Sequence, residues 1–141
     1  MDIQIKQGPQ CHTSNCYTYR NGDIKYIVIH FTSNNGDTAL NNCNYFSGAN
    51  RGASAHYFGD DGIYQSVPDK WAAWAVGGTK IYKHPYCRNM NSISIEMCSR
   101  IGADGKYYIR DGIVEQTIKL TRYLMNKYGV PAQNVLRHYD V

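Results

Sequence analysis

The stretch IKYIVIHF (24–31) decides the fold class, together with its counterpart SISIEMC (92–98). In the first, β-branched and aromatic residues fill both alternating sets, and the turn-formers Asn21 and Gly22 precede it. A short run that is apolar on both faces marks a strand buried in the middle of a sheet, with cover on each side. Alternation puts Tyr26, Val28 and His30 on one face and Ile27, Ile29 and Phe31 on the other. The second stretch alternates strictly. Ile93, Ile95 and Met97 face one way, and Ser94, Glu96 and Cys98 face the other.

Working outward, Asp37 is positioned to cap a short helix from Thr38 to about Phe46, ended near Gly48. Ser54–Phe58 and Ile63–Val67 read as two strands joined by Gly59-Asp60-Asp61-Gly62, which is hairpin chemistry. Pro68 and Asp69 are set to start a short turn of helix through Trp74. Gly77-Gly78 opens an irregular stretch to about Asn91, and so long a loop in a small domain is commonly functional. Asp111 is placed to cap the longest helix. Its apolar rhythm runs through Val114, Thr117, Ile118, Thr121, Leu124, Met125 and Tyr128, and Gly129 and Pro131 stop it. Val135 and Leu136 open a last short strand that carries His138. The order β, α, β, β, loop, β, α, β predicts a single α/β domain with a central mixed sheet flanked by α-helices. Residues 1–22 show no period and read as an irregular lead-in to a domain over 23–141.

Composition narrows the function classes. The chain of 141 residues suits one domain, and 43% hydrophobic residues suffice for a core without staples. The net charge of +4 comes from scattered residues with no Lys/Arg run, so no nucleic-acid partner is expected. Five cysteines, an odd number at irregular spacing and with no CxxC pair, give neither a disulfide framework nor a zinc finger. Met1–Gln10 lacks a signal-peptide pattern, and no apolar run is long enough to span a bilayer, so membrane insertion is not expected. Thirteen tyrosines against three phenylalanines suit surfaces that are half wet.

The candidates for chemistry are His30, His138 and Glu96. Each histidine ends a strand, and strand ends in α/β folds face the ligand crevice. An imidazole there is either a hydrogen-bonded core residue or a metal ligand, and spacing leaves both readings open. Glu96 within an alternating apolar strand is either on an exposed face or a general base with a raised pKa. His56, Trp74, Asn89 and Asn91 are candidate substrate contacts. Cys98, on the face of Glu96, is a possible substitute ligand.

The segments IKYIVIHFTS (24–33), GASAHYFGDDGIYQSVPD (52–69), WAAWAVGG (71–78), CRNMNSISIEMCS (87–99) and VLRHYDV (135–141) together resemble the N-acetylmuramoyl-L-alanine amidase type 2 family. The flavour is that of phage lysins, and animal peptidoglycan-recognition proteins share the fold. The resemblance implies that His30 and His138 are zinc ligands and that Glu96 activates a zinc-bound water. The implied reaction is hydrolysis of the amide between N-acetylmuramic acid and L-alanine in bacterial peptidoglycan. It also implies a protein made in bacterial cytoplasm that acts on the cell wall after holin-dependent release or secretion by another route. The family's third zinc ligand, a Cys or Asp, and a preceding Lys fall beyond Val141, so the domain is expected to be truncated at its C-terminus. Ala55 stands where some members carry a catalytic Tyr, and Trp74-Ala75 where an indole-then-His element is common. These departures keep a non-catalytic peptidoglycan-binding module, with an incomplete zinc site, as the alternative.

Overall fold

The computed structural model describes residues 3–77 and 81–141; Gly78, at the start of the long loop, lies outside them, as do Met1 and Asp2. Strands β1 (Ile5–Gln7), β2 (Cys16–Tyr17) and β3 (Tyr26–Phe31) precede helix α1 (Ala39–Phe46). Next come β4 (Tyr57–Gly59), β5 (Ile63–Gln65), β6 (Ala72–Ala73), β7 (Ser92–Met97), β8 (Arg100–Ile101) and β9 (Tyr107–Tyr108). Helix α2 (Asp111–Tyr128) and strand β10 (Val135–Arg137) complete the chain. Six strands form one sheet in the order β1-β5-β4-β7-β3-β10. Only β4 and β5 run antiparallel within it, so the sheet is mixed.

The two patterned strands sit at its centre and pair in parallel, with Ile27 opposite Ile93 and His30 opposite Glu96. Their first face carries Ile27, Ile93 and Ile95, which pack on Leu120 and Leu124 of α2. On the second face, Phe58 of β4 packs on Ala39 and Cys43 of α1, and Val28 packs on Val76, Cys87 and Val141. Helices therefore lie on both faces, and the central strands have no wet side along most of their length.

Local details differ from the sequence reading for physical reasons. The cap of α1 is Thr38, whose hydroxyl accepts from Asn41 N while the Asn41 side chain accepts from Thr38 N. Asp37 instead accepts from Thr32 Oγ1, Asn34 Nδ2 and Asn42 Nδ2. Asp111 is the first helical residue of α2 rather than its cap, where its charge still complements the helix dipole. The buried stripe of α2 is Ile113, Thr117, Leu120 and Leu124. Val114 and Ile118 are exposed at 37% and 46%. Two stripes offset by one position share Thr117 and Leu124, and the sheet takes the one that holds both Ile113 and Leu120. Gly129 ends the helix at φ 66°, in the left-handed region that glycine adopts freely.

Asp69 starts no helix. Its carboxylate accepts from the Tyr57 and Tyr128 hydroxyls and from Gln65 Nε2. After a turn closed by Trp71 N on Pro68 O, the chain forms β6 and pairs antiparallel with β2. Among the described residues of the lead-in, 3–22, there are thus two short strands, of three and two residues, too brief to show a period. His138 follows β10 as the first residue of a 3-10 turn, one step past the strand.

Candidate metal centre and substrate cavity

Register brings the candidate residues together. Val135, Leu136 and Arg137 lie opposite Ile27, Val28 and Ile29. The next residue, His138, therefore emerges beside His30, and the two ring centroids are 4.6 Å apart. On the other flank of β3, Glu96 is the direct partner of His30. His30, Glu96 and His138 all line one cavity of about 560 Å³, whose walls include Phe46, Ser54 and Trp74.

The electrostatics of these groups follow from burial. His30 is 8% exposed, and its Nε2 has no hydrogen-bond partner. Burial, reinforced by the neighbouring His138, pushes its pKa down to about 3. Burial also lowers that of His138. Both rings are then neutral at physiological pH, so each holds a lone pair for a Lewis acid. Glu96 also has a buried, unpartnered oxygen, Oε1. Burial, followed by the negative charge of Asp37, pushes its carboxyl up to about 8. Asp37 and Glu96 also share a second cavity of about 520 Å³, against α1.

An orphaned ring nitrogen beside a second neutral imidazole fits two of the ligands that a catalytic zinc takes. Among the described residues, no group of three His, Cys, Asp or Glu side chains gathers to complete it. Cys98 does not line the cavity; its thiol accepts from Asn42 Nδ2 at 3.8 Å, and burial and Asp37 push its pKa up.

The other candidates divide by location. Trp74 forms part of the cavity wall, and its indole Nε1 is buried without a partner. His56 lies behind the wall, 1% exposed. Its Nδ1 accepts from Ser94 N at 3.1 Å and its Nε2 donates to Trp71 O at 2.9 Å, with Arg20 Nη2 3.0 Å from the same nitrogen. Its ring thus fastens β7, two residues before Glu96, to the segment that leads to Trp74. Asn89 Oδ1 accepts from Ala75 N and Val76 N, and Asn91 bridges Arg88 N and Tyr86 O. Both asparagines hold the loop behind Trp74, and neither lines the cavity.

Arg20 was outside the sequence reading. It donates to Asp69 O, Met90 O and Ser92 O as well as facing His56. A single arginine in an aperiodic lead-in carries no signal of such burial. Phe46 and Tyr139, also in the cavity wall, read in sequence as an ordinary helix end and a strand-end neighbour.

Over residues 20–141 the chain matches the family model described as N-acetylmuramoyl-L-alanine amidase. It is 36% identical over 126 residues to a probable N-acetylmuramoyl-L-alanine amidase of Bacillus licheniformis, an alignment that takes in 84% of this chain and 34% of that protein. Among solved structures, the catalytic domain of XlyA superposes with a TM-score of 0.76 at 26% identity, over 96% of this chain and 84% of that one. PlyL gives a TM-score of 0.73 at 27% identity, over 98% and 81%. The chain spans about a third of the length of the Bacillus proteins it matches.

Proposed function

Because the chain belongs to the N-acetylmuramoyl-L-alanine amidase family, we propose that it hydrolyses bacterial peptidoglycan at the amide between the lactyl group of N-acetylmuramic acid and L-alanine. The observation that carries this reading is the convergence of His30, His138 and Glu96 on one cavity, with two of the three holding buried polar atoms that have no partner in the protein. A core histidine with a merely structural role satisfies its nitrogens, as His56 does.

His30 and His138 would hold zinc, which when bound polarises an amide carbonyl and lowers the pKa of water to about 7. Glu96 is the proton carrier. A cation on the adjacent histidines would favour its carboxylate and bring its pKa down from about 8 toward neutrality. The carboxylate takes a proton from water as the water oxygen attacks the lactyl carbonyl carbon. It then gives that proton to the L-alanine nitrogen as the C–N bond breaks. Trp74 offers its free indole N–H to a substrate acceptor in the cavity. The site of action is the cell wall; among the described residues no helix is long and apolar enough to cross a membrane.

The test is digestion of purified peptidoglycan with zinc present, followed by end-group analysis. New L-alanine amino termini without new reducing sugars, abolished in Glu96→Gln, is the expected result. Binding to the wall with no release of amino termini would replace the amidase with a recognition module.

A further inference from the structure

We infer that Tyr17 and Tyr19, together with Trp74, form a glycan-binding ledge that extends the cavity along the sugar chain of its substrate. The inference rests on the peptidoglycan reading above and adds residues from the lead-in segment. Trp74 stands in the cavity wall. Tyr17 meets it edge-on, with centroids 5.5 Å apart, and Tyr19 continues the row from Tyr17 at 5.7 Å. The row therefore starts inside the cavity and runs out to solvent, where Tyr17 is 39% and Tyr19 51% exposed.

The ledge is rigid, although it lies on an otherwise irregular segment. On one side, Tyr17 is held in β2, paired with Ala72. On the other, Arg20 is half-buried and donates to three backbone carbonyls, of Asp69, Met90 and Ser92. Its burial lowers its pKa to about 10, so it stays charged and bonded at neutral pH. Aromatic rings presented on pinned backbone lose little freedom on binding, which favours their use as anchors. No charged side chain belongs to the row. The matching ligand presents apolar C–H faces and polar edges, and this describes a chain of N-acetylated amino sugars. Tyrosine suits that surface because its ring stacks and its hydroxyl remains wet. Trp74 Nε1 adds a buried donor, without a protein partner, for an acetamido or hydroxyl oxygen at the inner end.

The experiment uses two substrates and one ligand with the wild-type chain, the Tyr17→Ala/Tyr19→Ala pair and the Tyr17→Phe/Tyr19→Phe pair. Hydrolysis is measured on long uncross-linked glycan strands bearing peptides and on a single N-acetylmuramoyl-peptide. Binding of peptide-free glycan strands is measured by calorimetry. Expected is a rise in KM of roughly tenfold on long strands in the alanine pair, the scale of one lost aromatic anchor. Its kcat, and its kinetics on the single unit, stay at wild-type values. The phenylalanine pair behaves as wild type, and the alanine pair loses affinity for peptide-free strands by the same factor. Equal KM and equal strand binding in wild type and the alanine pair would overturn the ledge, as would an equal loss on both substrates. Strand binding that depends on the tyrosines in a protein that cleaves neither substrate would leave the ledge standing and remove the hydrolytic reading.

Discussion

Replacing Glu96 by glutamine should make the metal-free protein more stable, by an amount that grows with pH. Burial and Asp37 hold the Glu96 carboxyl at about 8, against an ordinary value of 4.5. The folded state therefore keeps this proton over a range in which the unfolded chain has released it. Stability is unaffected by Glu96 below pH 4.5, falls as pH rises through the window from 4.5 to 8, and levels off above it. At about 1.4 kcal/mol for each pH unit of that gap, the penalty approaches about 5 kcal/mol at its ceiling, and partial hydration of the carboxyl reduces it. Glutamine keeps the shape and cannot ionise. Groups that titrate in both proteins cancel in the difference. The assay is urea unfolding with a chelator present at pH 5, 6, 7 and 8, read as the difference in midpoint at constant slope. The variant should be close to wild type at pH 5 and ahead by several kcal/mol at pH 8. A gap that stays constant across the series would mean instead that Glu96 ionises normally.

Two further perturbations address the same electrostatics. Asp37→Asn removes the negative charge that faces Glu96 while keeping polar atoms for Thr32 and Asn42. The Glu96 midpoint, followed by carbon NMR of its carboxyl, should move down yet stay above the ordinary value, since burial is the larger cause. An unchanged midpoint would mean that Asp37 is screened. His30 and His56 are held at about 3 and about 4, below their ordinary 6.5. Their lowered values mean that stability is present above pH 6.5 and lost as pH falls toward 3. Thermal melts should show this acid loss, shallower in His30→Gln, and parallel melting curves for the two proteins would contradict it.

How far the sequence could be read depended on the range of each signal. The two central strands were legible because 24–31 is apolar on both faces and 92–98 alternates strictly; the first pattern put His30 on a buried set, while the second left Glu96, on the face opposite Ile93 and Ile95, either exposed or buried until the register with His30 placed it. The stop of α2 was legible because Gly129 needs a left-handed backbone. Its buried stripe was read one position off, because Val114 and Ile118 are as apolar as Ile113 and Leu120, and only the sheet decides which pair it covers. Asp37 and Thr38 both have capping chemistry, and the choice turned on contacts that Asp37 makes with Thr32 and Asn34. Strands β1 and β2 exist through their partners, β5 and β6, and such pairings leave no local trace. The same holds for His56 and Arg20. Their bonds reach Ser94, Trp71 and Met90, distant in sequence, so neither could be told in advance from a ligand or a surface charge.

The proposed metal centre consists of His30 and His138 beside Glu96. Calorimetric titration of zinc into the metal-free chain tests it most directly, with His30→Ala, His138→Ala and Glu96→Gln alongside and folding checked by circular dichroism. One zinc per chain is expected, held weakly because only two protein ligands converge among the described residues, lost in either histidine variant and kept in Glu96→Gln. Zinc binding that is absent from the wild type, or present and indifferent to both histidines, would contradict it.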